Sequence, residues 1–205
     1  MNGSLAKQPK NGNYTYEDYV SWDDDQRYEL IDGYVYMLAA PTTQHQRVSG
    51  YLQHTIFEYL KDKSCEVFAA PFDVRLFEAS EEKKKKFLRI YRKEVVLQPD
   101  LSIVCDPDQL DEKGCNGAPA LVVEILSPSN KHYQEKVNAY MSAGVQELWI
   151  VDPRLQTIFL YLRRGKDYVI STFEPSETLA SPTFPGLKIL LRDIFPAAPT
   201  KITEE

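Results

Sequence analysis

Two acidic residues sit in or beside apolar runs that read as buried strands. Asp100 stands in Pro99-Asp100-Leu101-Ser102-Ile103-Val104, and Glu124 stands in Leu121-Val122-Val123-Glu124-Ile125-Leu126. Carboxylates rarely enter buried strands unless something compensates the charge. A hard divalent cation prefers oxygen ligands and cancels like-charge repulsion, so the pair points to a metal-dependent site. The competing reading puts each carboxylate at a strand end, solvated or salt-bridged. If the two strands pair, the acids can meet on one face. One divalent ion there would lower the pKa of a bound water and polarise a phosphoryl oxygen.

Three further residues bear on that pair. Lys136 lies on a helix that follows directly from the Glu124 strand, at the edge of an inward stripe of Val137, Tyr140, Met141 and Gly144. Its stem can cover apolar surface while the ammonium reaches elsewhere, and the alternative is a solvated surface lysine. Glu29 sits inside the apolar strand before Asp32-Gly33. His45 falls in the first turn of a long helix, where a histidine serves more often as a hydrogen-bonding group than as a ligand. The chain has no Gly-rich phosphate loop, GxSxG elbow or HExxH pair, and only 3 His in all.

The elements that must position these groups follow from period and punctuation. Thr15, with Asp18 three residues on, starts a short helix to Trp22. Residues 27–31 and 34–38 flank Asp32-Gly33 as a hairpin. Pro41-Thr42 opens a helix to Leu60, with Val48, Leu52, Ile56, Tyr59 and Leu60 at helical spacing. Strands are expected at 66–68, 73–77, 89–97, 101–105 and 120–126, and a loop at 106–119. A helix over 132–143 is ended by Gly144. Strands at 147–151, 157–162 and 168–173 follow, the last two as a hairpin around Gly165. Strand, helix and strand over 120–151 make one βαβ unit, so those strands should be parallel. The expected fold is α/β: a central mixed sheet flanked by helices, with antiparallel hairpin additions. Residues 1–13 read as a disordered leader, 14–195 as one domain and 196–205 as a frayed tail.

Composition narrows the class. At 205 residues, 43% hydrophobic and 26% charged, the chain can bury a real core. The polar start has no signal-peptide core, and no apolar stretch reaches membrane length, so a cytoplasmic location is expected. Three cysteines without close spacing indicate neither a disulfide framework nor a zinc site. A net charge of −6 argues against indiscriminate nucleic-acid binding but leaves room for a local basic patch. The densest such run is Lys83 to Lys86, with Arg89, Arg92 and Lys93. It reads as a solvated hairpin tip, with a phosphate-contacting role left open.

Together the motifs resemble a known family. Arg27-Tyr28-Glu29-Leu30-Ile31-Asp32-Gly33, Ala40-Pro41 with His45, Gln98-Pro99-Asp100, Val123 through Ser129, and Lys136 with Tyr140 through Pro153 are similar to the Uma-two family of bacterial proteins. That family is assigned to the PD-(D/E)XK nuclease superfamily. The similarity spans about residues 14 to 195. It implies a restriction-endonuclease-like core and Mg²⁺ (or Mn²⁺) held by Asp100 and Glu124. Leu126 stands where the signature lysine is usual, and Lys136 occupies the place to which this family relocates it. Glu29 matches an acidic residue common in nuclease sites, and His45 matches the histidine of the family's long helix. One departure is plain: residues 130–135 lack the Asp that members usually carry there.

The leading expectation is a metal-dependent endonuclease hydrolysing phosphodiester bonds in DNA. Asp100 and Glu124 would hold the ion, Lys136 would position water and stabilise charge, and Glu29 would help hold a second ion. An alternative is a catalytically weak or inactive nuclease-like binding or assembly module. A two-carboxylate sugar hydrolase would need no metal. A homodimer suits paired cuts across a duplex, with Tyr34, Tyr36, Phe159 and Tyr161 as interface candidates. On this reading Lys136→Met spares folding and cuts turnover by about 10²-fold.

Overall fold

The capping signals at the start of the chain come out as local geometry. In the computed structural model, which describes residues 13–76, 91, 94–128 and 132–195, Thr15 and Asp18 form a reciprocal capping box on helix α1 (Tyr16–Val20). The helix is shorter than the sequence implies because Ser21 caps it. Asp32 and Gly33, at φ 51° and 84°, turn strand β1 (Tyr28–Ile31) into β2 (Tyr34–Met37). Thr42 caps α2 (Thr43–Leu60), whose buried stripe is His45, Val48, Leu52, Ile56 and Leu60.

Short strands follow: β3 (Glu66–Ala69), β4 (Asp73–Arg75), β5 (Val95–Leu97) and β6 (Leu101–Val104). Next come β7 (Leu110–Asp111), β8 (Gly114–Asn116) and β9 (Leu121–Ile125). Helix α3 (Tyr133–Ala143) ends at Gly144, left-handed at φ 89°. Strands β10 (Glu147–Asp152), β11 (Thr157–Arg164) and β12 (Asp167–Phe173) complete the expected run, and β13 (Thr178–Ala180), β14 (Lys188–Leu190) and α4 (Leu191–Ile194) close the described chain.

The fold is mixed α/β, with two six-stranded mixed sheets. The first has the order β12-β11-β10-β9-β6-β3, with β9 and β10 parallel as the βαβ unit requires. The second has the order β2-β1-β5-β4-β8-β7. The β1–β2 hairpin is therefore not an edge of the central sheet but belongs to this second layer. One face of the first sheet, with Leu121, Val123 and Ile125, packs on α2 and on Leu179, Ile189 and Ile194 near the C-terminal end. The other face, with Val122, Leu148 and Ile150, packs on α3 and on Leu30, Val74 and Val96 of the second sheet. Glu124 alternates with Val123 and so faces the second sheet. Fully buried Glu147 accepts from Trp149 Nε1 (2.7 Å), Ser181 Oγ (2.9 Å) and the Thr183 amide (2.9 Å), which fastens the C-terminal segment to β10.

Two expectations are corrected. Residues 106–119 are not simply a loop: they hold a 3-10 turn (Pro107–Gln109) and the β7–β8 hairpin, whose second strand pairs in parallel with β4. Strands this short leave no readable period. Gly114, at φ 138°, makes the contact possible, since a Cβ there would lie 2.1 Å from the Asp73 carbonyl oxygen. Cys65 and Cys105 form a disulfide, 40 residues apart in sequence, because the β3–β6 register sets them opposite each other. Tyr36, Phe159 and Tyr161 are partly buried against the apolar layer between the sheets, and Tyr34 is exposed. The Lys83 to Lys93 segment, residues 1–12 and residues 196–205 lie outside the described residues. Among the described residues, no helix is long and apolar enough to cross a membrane.

Asp111 ties this second sheet together. It accepts from Arg75 Nη2 (2.6 Å), the Lys113 amide (2.8 Å), the Gly114 amide (3.1 Å) and Asn116 Nδ2 (3.1 Å). Burial opposes ionisation, but the Arg75 guanidinium and the amide donors outweigh it and hold the carboxyl at about 2. A folded-state pKa below the unfolded 3.8 stabilises the fold above about pH 4 and ceases to do so as pH falls through about 2. Asp111→Asn should therefore lower the melting temperature at neutral pH. The gap from the parent should close between about pH 4 and pH 2. Thermal melts across that range check this, and a gap independent of pH contradicts it.

Candidate functional site

Strand register builds the site. Leu101 pairs with Val123 in the antiparallel β6–β9 ladder, so one step further Asp100 faces Glu124. Asp100 Oδ2 accepts the Ile125 amide at 2.7 Å, so the side chain prolongs the ladder where the strand itself has ended. Asp100 Oδ1 lies 3.1 Å from His45 Nε2. His45 reaches it from the first turn of α2, where Thr42 Oγ1 accepts the His45 amide at 3.2 Å. Burial alone would lower the His45 pKa, but Asp100 and then Glu124 outweigh it and raise it. His45 Nδ1 is buried without a hydrogen-bond partner among the described residues.

Glu124 is engaged from α3. Its Oε2 accepts from Lys136 Nζ at 2.7 Å and its Oε1 from the Tyr140 hydroxyl at 2.6 Å. The same ammonium lies 2.8 Å from Glu29 Oε1 on β1, which also accepts the Gln98 amide at 2.9 Å. Lys136, Tyr140 and Glu124 recur on one side because α3 leaves β9 directly and residues four apart share a helix face. The three charged side chains of this bridge are nearly inaccessible, at 3% for Glu29, 3% for Glu124 and 7% for Lys136. Burial pushes the Glu124 carboxyl up; Lys136 pulls it down, and Asp100 and Glu29 push it up again. Burial would lower Lys136, but Glu124 and Glu29 outweigh that and keep it charged. The sum is one ammonium among three carboxylates, with His45 at the rim.

A cleft of about 200 Å³ opens on this cluster, lined in part by Asp100, Glu124, Lys136, His45, Gln98 and Arg27. Four of the residues read from the sequence thus come together: Asp100, Glu124, Lys136 and Glu29. Glu29 stands behind Lys136, off the cleft wall, where it meets Lys136 and the Gln98 amide rather than open space. Burial of Lys136 overturns the solvated-surface alternative. Two participants were not singled out as site residues from sequence. In sequence His45 reads as a hydrogen-bonding group, and its partner Asp100 is visible only once the helix start meets the strand end. In sequence Tyr140 reads as core, and its place one turn after Lys136 is the signal that marks it.

The chain is similar to known proteins in sequence and in fold. The family described as Uma2, putative restriction endonuclease, matches residues 16–192. Uncharacterized protein slr1290 of Synechocystis sp. is 25% identical over 169 residues, covering 80% of this chain and 82% of that protein. A crystal structure described as a putative nuclease belonging to DUF820, from Anabaena variabilis, shares the fold with a TM-score of 0.69. It is 20% identical, and the match covers 89% of this chain and 97% of that one.

The burial of Lys136 changes what its removal does. Lys136→Met leaves two buried carboxylates without their cation, so the earlier expectation of unimpaired folding does not hold. The substitution should cost about 3–5 kcal/mol of stability in denaturant titrations. Adding Glu29→Gln to it should recover part of that loss. A single variant as stable as the parent would contradict the ion-pair geometry.

Proposed function

The chain belongs to the Uma2 family, putative restriction endonucleases, and on that footing we propose that it is a Mg²⁺-dependent endonuclease hydrolysing phosphodiester bonds in DNA. The reading is supported chiefly by one observation: Asp100 and Glu124 face each other across paired strands on the wall of one cleft, beside a buried lysine. The nuclease-like fold is consistent with it. We also take residues 14–195 to act as one domain, in the cytoplasm and as a homodimer whose two-fold axis suits paired cuts across a duplex.

The donor set fits a divalent ion. Mg²⁺ keeps several of its waters and binds through one or two carboxylates plus substrate phosphate, and two carboxylates are what the cleft wall offers. Among the described residues no three His, Cys, Asp or Glu side chains converge as a ready-made cage. The surplus of negative charge over Lys136 also favours an added cation. Asp100 and Glu124 would hold the ion, which when bound supplies a more acidic water and offsets phosphoryl charge.

The chain's own groups do the rest. The Ile125 amide and His45 fix the Asp100 oxygens. Tyr140 and Lys136 fix Glu124. Lys136, on the cleft wall, orients the attacking water and stabilises charge as the phosphorus–oxygen bond to the leaving group breaks. Glu29 acts through Lys136, holding the ammonium in place rather than meeting substrate.

A second reading, a nuclease-like binding or assembly module without turnover, is favoured by the engagement of both Glu124 oxygens within the protein. Cleavage of supercoiled DNA separates the two. The parent should cut with Mg²⁺ or Mn²⁺ and not with chelator. Asp100→Asn should abolish cutting and weaken metal binding in calorimetry while folding is retained. No cutting by the parent under any divalent ion, or undiminished cutting by Asp100→Asn, would leave the binding-module reading in its place.

A further inference from the structure

Gln98 and Arg27, which line the main cleft, also line a second hollow. It holds about 400 Å³, and aromatic rings form much of its wall. Tyr16 and Tyr19 lie 6.0 Å apart with 20° between their planes. Trp22 meets Tyr19 at 5.5 Å and Tyr28 at 5.1 Å. Tyr16, Tyr19 and Trp22 are only partly buried, although they pack against the core. The Tyr16 ring is held in place by Arg75, whose Nη1 donates to its hydroxyl at 3.1 Å.

Polar groups converge beside the rings. Asp73 Oδ1 accepts from the Tyr19 hydroxyl and from Gln98 Nε2, both at 2.9 Å. Burial pushes this carboxyl up, and the Gln98 and Tyr19 bonds only partly offset it. Arg27 gives Nε to Gln98 Oε1 at 2.9 Å and makes no ion pair among the described residues. Arg27 thus brings a guanidinium to the lining of both hollows.

A π wall, an acceptor at its foot and a guanidinium at the shared rim match three parts of one ligand. A nucleobase stacks its face on the rings and donates an edge N–H to the carboxylate, and its phosphate meets the guanidinium. An aliphatic ligand would leave the acceptor and the cation unused.

We propose that this hollow binds an unpaired nucleobase adjoining the phosphodiester in the main cleft, with Arg27 contacting the phosphate between them. The proposal rests on the nuclease reading of that cleft. It narrows the substrate to DNA with at least one unstacked base, as at a single-stranded or frayed segment.

Binding measured without divalent ions tests this separately from cleavage. A labelled single strand of about eight nucleotides is compared by fluorescence anisotropy with its abasic counterpart. The intact strand should bind about tenfold more tightly. It should also quench tryptophan emission, which reports on Trp22 because Trp149, the other tryptophan, is fully buried. Tyr16→Leu keeps apolar bulk but removes a ring face. It should weaken the intact strand about tenfold and leave the abasic strand unchanged. Equal affinity of the parent for both strands overturns the proposal whether or not any variant folds, as does a Tyr16→Leu protein that binds both as the parent does. Base-dependent binding in a protein that fails the plasmid assay would uphold the pocket while overturning the nuclease reading, so the two failures are distinguishable.

Discussion

One ammonium joins the two sheets where the cleft opens. Lys136 reaches from α3 to Glu124 on the first sheet and to Glu29 on the second, with all three side chains nearly inaccessible. Taking three charges out of water is costly, and their attraction repays that cost only when the remaining lone pairs are satisfied. They largely are: Tyr140 donates to Glu124, and the Gln98 amide donates to Glu29. The bridge is therefore poor as a source of raw stability and strong as a device for register. If β1 slipped by one residue against β5, Glu29 would move to the opposite face and leave Lys136 with one partner.

That arrangement explains why the cation sits on a helix. Leu126 is on the same side of β9 as Glu124, but it packs against the apolar layer between the sheets. A lysine there would spend its charge among Val122, Ile150 and their neighbours. An α3 lysine keeps its stem in that layer while its ammonium meets carboxylates from both sides. The consequence is a cluster whose negative charge exceeds its positive charge. Asp100 contributes the excess at the cleft wall, and His45 offsets part of it from α2. The same excess that makes the cluster costly when empty makes it receptive to a cation.

How much of this was legible in the sequence depends on the length scale of each feature. Caps and turns act over four residues, so Thr15 with Asp18, Asp32-Gly33 and Gly144 could be read directly. The α2 stripe and the β9–α3–β10 unit extend over enough residues for their period to be recognised. The two-residue β7 and the three-residue β8 have no period, and what holds them is the close approach of Gly114 to Asp73, on a strand 41 residues earlier in the chain. Division of the strands into two sheets was also beyond reach, because an apolar hairpin such as β1–β2 suits either layer. Cys65 and Cys105 meet through the β3–β6 register and not through any spacing of cysteines.

The site divides in the same way. Asp100 and Glu124 stand out because acids in apolar runs violate the usual pattern, and such violations concentrate where a protein does chemistry. Tyr140 and His45 violate nothing. A tyrosine in a helical stripe and a histidine in a first turn satisfy every local rule, and they become part of the site only through a third residue brought by the fold. Glu29 shows the converse. It was conspicuous in sequence as an acid in an apolar strand, yet its anomaly is resolved inside the protein by Lys136 and the Gln98 amide. Conspicuous acids therefore mark where charge must be compensated, and only geometry decides whether an internal cation or an external one does so. For Glu29 the compensation is internal; Asp100, with a histidine on one oxygen and a backbone amide on the other, lines the cleft that a cation would enter.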